Sequence, residues 1–295
     1  MRFSPIFVSV VTVSMVMTAV PAASETIGRA AERAVALRDE TESVGVARDI
    51  SFPQCGGRLP ALSSGSDGVL GANDGSTFTT NPCLVKELAW AKRLPSAPAF
   101  YTNTGDPGPV RAKHWPIGQT SPKVCSGADP NSVACSFDYG WNAGWQAFGV
   151  AAEAARRLHH VDVESARRRA ANVEWWLDVE TMNSWLAVSG SPTRAAEQRD
   201  TASLVGQYDA LRFAGVEQIG IYSTVYQWGL ITGGTRAVNA QFGPTAQWLA
   251  GYASKAAATA GCSDKGFMPG TVRMTQYLAA DGFDADVICA GPDPA

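Results

Sequence analysis

Histidine is scarce in this 295-residue chain: only His114, His159 and His160 occur, and no two cysteines stand in a Cys-x-x-Cys spacing. The usual donor sets of a zinc centre are therefore missing, and neither a metal nor another cofactor is expected. Gly-x-Ser-x-Gly is also absent, and no histidine falls at the end of a predicted strand, which argues against a serine protease or esterase. Charge of one sign never dominates. Lysine and arginine number 24 against 27 acids, and charged residues make up 17%. The basic groups Arg156-Arg157 and Arg167-Arg168-Arg169 read as solvated helix faces, not as a nucleic-acid interface. No long apolar run follows the first two dozen residues, so no membrane span is expected.

Residues 1–23 begin with Arg2, pass through the apolar Ile6-Phe7-Val8-Ser9-Val10-Val11 stretch to Met17, and finish on Ala22 and Ala23. That pattern predicts a cleaved secretory signal, hence a secreted or cell-wall-associated protein. Residues 24–45 read as a helical leader or linker. Residues 46–292 have the length of one large domain. All six cysteines, Cys55, Cys83, Cys125, Cys135, Cys262 and Cys289, lie in that domain, and an even count in an exported chain predicts three disulfides. Joining sequence neighbours would staple a long loop each time, but connectivity stays open at this level.

After the leader, short β-rich runs alternate with longer connections, the pattern of parallel strands joined by crossovers. The runs are 46–51, 68–73, 97–102, 172–178, 217–223, 246–250, 271–276 and 283–288. Helices are predicted over 82–92, 139–158 and 193–214. Eight strands imply an α/β fold, a TIM-type (β/α) barrel. It is expected to be irregular at its end, with an antiparallel or loosely closed final strand, because six residues between the last two runs are too few for a helical crossover, which needs about a dozen. The proline- and glycine-rich segment 103–138 reads as a loop excursion that walls the carboxyl face of the barrel.

The segment Val173-Glu174-Trp175-Trp176-Leu177-Asp178-Val179-Glu180 ends an apolar run in two carboxylates one residue apart. On a strand, Asp178 and Glu180 share a face, with Leu177 and Val179 on the other. Such a pair suits glycosidic cleavage: one acid protonates a leaving sugar oxygen, and like-charge proximity helps to keep it protonated. Other polar residues fall at further strand ends, namely Asp49, Tyr101, Tyr222, Gln276 and Asp284. Asp74 and Asp286 fit helix N-caps equally well. Most tryptophans read as core, and only Trp185 and Trp228 follow strand ends where a ring could stack on a sugar.

At these residues the chain resembles the family 25 glycoside hydrolases, lysozyme-type muramidases that cut the glycan strand of peptidoglycan. The resemblance runs from about Val46 to Ile288. Its motifs are Asp49-Ile50-Ser51-Phe52-Pro53-Gln54, Asp178-Val179-Glu180, Ile221-Tyr222-Ser223, Trp248-Leu249-Ala250, and Gln276-Tyr277 followed by Phe283-Asp284-Ala285-Asp286. It implies a barrel with a reduced set of outer helices and a polysaccharide or oligosaccharide substrate rich in 2-acetamido sugars. Glu180 would be the general acid and base, and Asp178 the deeper partner that orients the acetamido group. Asp49 and Asp284 would bind hydroxyls or tune the pair, with Tyr101, Tyr222 and Gln276 as hydrogen-bonding neighbours. Two strand ends depart from the family pattern: Gly71-Ala72-Asn73-Asp74-Gly75 lacks its lysine, and Ala99-Phe100-Tyr101-Thr102-Asn103 lacks its histidine. A non-catalytic glycan-binding barrel of the cell envelope is the alternative that those departures favour.

Overall fold

The computed structural model describes residues 45–190 and 192–290. The signal 1–23 and the leader up to residue 44 lie outside the described residues. The strands β1 (Val46–Ile50), β2 (Asp67–Gly71), β3 (Ala99–Asn103), β4 (Trp175–Asp178), β5 (Ile219–Ser223), β6 (Ala246–Tyr252), β7 (Val272–Leu278) and β8 (Asp284–Ile288) close into a barrel in chain order. Each lies on its expected segment. β4 starts three residues later than expected because Asn172 still caps the preceding helix, its N–H donating to Arg168 O.

The irregular end falls at the last strand, as expected. β1 to β7 pair in parallel, whereas β8 runs antiparallel to both β7 and β1. Five residues join β7 to β8, and they fold as a turn in which Gly282 N–H donates to Ala279 O at 3.0 Å. Gly282 sits at φ 81°, a left-handed conformation that glycine adopts without steric cost. The reversal puts the first residue of β8 level with the last residues of its neighbours.

Alternation along the strands divides the apolar residues into two cores. Ala47, Val69, Ala99, Trp176, Tyr222, Trp248 and Met274 fill the barrel interior. Ile50, Leu70, Phe100, Trp175, Leu177, Ile221 and Leu249 face outward beneath the helices. The interior is narrow enough that a Cβ on Gly220 would meet the Trp176 ring at 2.1 Å. Trp176 therefore depends on a missing side chain across the β4–β5 pair.

Outside lie α1 (Leu84–Ala91), α2 (Val133–His159), α3 (Val163–Ala171), α4 (Arg194–Phe213), α5 (Val225–Thr232) and α6 (Lys255–Gly261), with a few single turns. α2 begins six residues earlier than expected, inside the predicted excursion, because Ser132 Oγ caps it by accepting from Cys135 N–H. Ala143, Ala147, Ala151 and Ala155 recur every fourth residue and are buried, forming one face of α2. Short α5 and α6, eight and seven residues long, carry Thr224 and Ser254 N-caps but too little periodicity to be read from sequence. The disulfides join Cys55 to Cys83, Cys125 to Cys135 and Cys262 to Cys289. They fasten the loop after β1 to the start of α1, the excursion to the first turn of α2, and the end of α6 to the residue after β8.

Candidate active site

The carboxyl ends of β1 and β4, with the start of β8, bring five acids to one mouth of the barrel. Asp49 comes from β1 and Asp178 from β4, both buried. Glu180 follows β4, half-buried. Asp284 is exposed at the rim, and Asp286, one alternation deeper on the same face of β8, is fully buried. Among the described residues none of the five has a lysine or arginine ion-pair partner. No group of three or more metal-type donors is spaced to hold an ion there.

β4 ends at Asp178, so Glu180 does not sit on the strand as expected. The chain turns instead, with Asn183 N–H donating to Glu180 O at 3.1 Å. The Glu180 carboxyl still lies close enough to Asp178 for its charge to act there, and Asp178 Oδ1 is buried without a hydrogen-bond partner. Burial pushes Asp178 well above the usual carboxylate range, and the charge of Glu180 pushes it further. Glu180 is raised by burial and by the charge of Asp284. The two acids therefore titrate together, and each makes the other harder to ionise.

Neighbouring groups orient Asp178. Asn103 Nδ2 donates to Asp178 Oδ2 at 2.5 Å, while Thr104 Oγ1 and Asn183 Nδ2 donate to the Asp178 carbonyl at 2.5 and 3.0 Å. Across the mouth, the Tyr222 hydroxyl donates to Gln276 Oε1 at 2.7 Å and Gln276 Nε2 donates to Asp49 Oδ2 at 2.5 Å. Asp49 is pushed up to about 8 by burial and by Asp284. The Tyr101 and Tyr222 hydroxyls are raised well above their ordinary value, first by burial and then by the surrounding acids. Both stay neutral donors.

Seven of the residues selected from sequence thus meet here: Asp49, Tyr101, Asp178, Glu180, Tyr222, Gln276 and Asp284. Two do not. Trp185 is fully buried and donates from Nε1 to Glu180 O at 2.8 Å, so it fixes the backbone of the acid and offers no face to a sugar. Trp228, also buried, packs on Phe242 and Phe267 and donates to Asn239 Oδ1. Both rings turn inward because an apolar shell between barrel and helices takes them up. Asp74 is exposed and caps no helix. Asp286 is no N-cap either; its Oδ1 accepts from Trp248 Nε1 at 2.8 Å inside the barrel. Asn103, Asn183 and Asp286 were not selected. Asp286 carried a signal, since alternation on β8 puts it inward with Asp284.

Fold and mouth together define a (β/α)-type barrel whose carboxyl face carries a cluster of acids without cation partners among the described residues. No family model matches the chain, and no curated protein sequence does. Solved structures do. The muramidase from Trichobolus zukalii superposes with a TM-score of 0.50 at 16% identity, covering 84% of this chain and 95% of that one. The bacterial lysozyme from Streptomyces coelicolor gives 0.48 at 14%, covering 85% and 94%, and a family GH25 lysozyme from Aspergillus fumigatus gives 0.46 at 14%, covering 84% and 95%. The Trichobolus likeness places the chain in the same barrel fold.

Proposed function

We propose that this protein is a secreted glycoside hydrolase that cleaves a glycan rich in 2-acetamido sugars, with cell-wall peptidoglycan as its substrate. The observation that carries this reading is the convergence of Asp178 and Glu180, without a cation partner among the described residues, at the carboxyl end of the barrel. Sequence motifs and fold support the same class.

Two acids one residue apart at the end of a single strand suit a substrate-assisted route, which needs no enzyme nucleophile. The acetamido N–H of the sugar donates to Asp178, which favours its anion and leaves the proton on Glu180. Glu180 passes that proton to the glycosidic oxygen as the C1–O bond breaks, and the acetamido carbonyl oxygen bonds to C1. Water then attacks C1, giving a proton back to Glu180, and the acetamido group is released. Configuration is retained.

Incubating the purified protein with peptidoglycan and with chito-oligosaccharides tests the reading. New reducing ends that vanish in Glu180→Gln support it. Binding without product from the unaltered protein would replace it with the glycan-binding barrel.

A further inference from the structure

A second concavity opens on the same face. It has a volume of about 370 Å³ and lies between the loops after β2, β3 and β4. That is within the ~300–1,000 Å³ range of ligand clefts. Its polarity is opposite to that of the mouth. Arg111, Lys113 and His114 line it, and no aspartate or glutamate does. Arg111 and Lys113 are exposed and have no acidic partner among the described residues. Arg111 is held from behind, its Nε donating to Pro107 O at 3.2 Å, which leaves its terminal nitrogens open. Asp106, behind the groove, is fully buried; it accepts from Gly108 N–H, faces Ser136 and Arg199, and feels the more distant charge of Arg111 without bonding to it.

One wall is aromatic. Phe78 and His114 stack with centroids 4.7 Å apart, and Phe78 adopts φ 59°, unusual for a bulky residue. The groove borders the strand end that carries Asp178. Thr104 and Asn183 line it, and both donate to the backbone carbonyl of Asp178. A glycan in the mouth thus has a cationic, aromatic-walled recess one residue from its acid.

We propose that this groove binds a carboxylate carried on a branch of the glycan, so that the enzyme prefers acidic, substituted strands over neutral ones. The proposal rests on the glycosidase reading above. Arg111 supplies a planar fork suited to a carboxylate, Lys113 adds a point charge, and the Phe78–His114 wall covers the apolar part of the branch.

The test compares the unaltered protein with an Arg111→Ala/Lys113→Ala variant. Substrates are acetamido oligosaccharides with a carboxyl on the sugar, with a carboxyl on a short attached peptide, with those carboxyls amidated, and neutral chito-oligosaccharides. For the acidic substrates the variant should raise KM about tenfold with kcat unchanged, and amidation should do the same to the unaltered protein. The acidic substrate that shows the effect identifies where the carboxylate sits. Equal KM in both proteins on every acidic substrate, or an equal loss on the neutral one, would overturn the proposal. If no substrate is cut, the glycosidase reading fails, and titration of Glu180→Gln protein decides the groove separately. Tighter binding of acid than of amide, abolished by the double substitution, supports it; equal affinity overturns it.

Discussion

Asn103 Nδ2 donates to Asp178 Oδ2 at 2.5 Å, and this is the amide that holds the deeper acid of the pair. The position of Asn103 is in turn fixed by buried amides. Its N–H donates to Asn73 Oδ1 at 3.1 Å, and its carbonyl accepts from Gln207 Nε2 of α4 at 3.1 Å. The end of β3 is thus held by buried asparagine and glutamine side chains.

Asn103→Leu should therefore leave Asp178 Oδ2 without its donor. The Asp178 anion becomes less favourable, so the alkaline limb of the pH–rate profile should move to higher pH, with a stability loss of about 1–3 kcal/mol. An unmoved limb would assign Asn103 a packing role alone.

Asp49 makes stability depend on pH. Its carboxyl is raised from 3.8 to about 8 in the fold, so between those values the native state holds a proton that the unfolded chain releases. The contribution is complete below pH 4 and is lost as pH rises towards 8, at up to about 1.4 kcal/mol per pH unit. Asp200, raised to about 8, and Glu87, raised to about 7, act in the same direction. Denaturant unfolding at pH 5 and 7.5 should show the protein more stable at the lower pH. Asp49→Asn should flatten that slope.

Trp228→Ala should cost about 3–5 kcal/mol in unfolding and leave KM unchanged, because the ring is core. Trp185→Phe keeps most of the volume but loses the bond to Glu180 O. It should lower kcat with little change in Tm. A raised KM with Tm intact in either variant would restore the sugar-stacking role.

Replacing Cys262 and Cys289 by serine should cost about 2–5 kcal/mol. The bridge spans 27 residues and anchors the chain just beyond β8, the strand that closes the barrel. Thermal unfolding of the double variant measures the loss, and an unchanged Tm would show that closure does not depend on the bridge.

Strand positions were legible because β-rich runs bounded by turn residues mark them, and the short β7–β8 connection announced the irregular end. Asp49, Asp178 and Asp284 were legible through their places at the ends of the β-rich runs. What stayed hidden depends on contacts distant in sequence. The burial of Trp185 and Trp228 is set by helices packed against them. The use of Asn103 and Gln207 as supports arises from residues that meet only when α4 lies against β3.

The reversed last strand makes the depth of the acids a matter of counting residues in one turn. Leu278 faces Asp284 and Gln276 faces Asp286 across the hairpin. One residue inserted between Ala279 and Gly282 would shift β8 by a single place. Asp284 and Asp286 would then rotate into the apolar shell, and Phe283 and Ala285 would take their places. A single codon in a surface turn thus withdraws two of the five acids from the mouth, while the other seven strands keep their sequence.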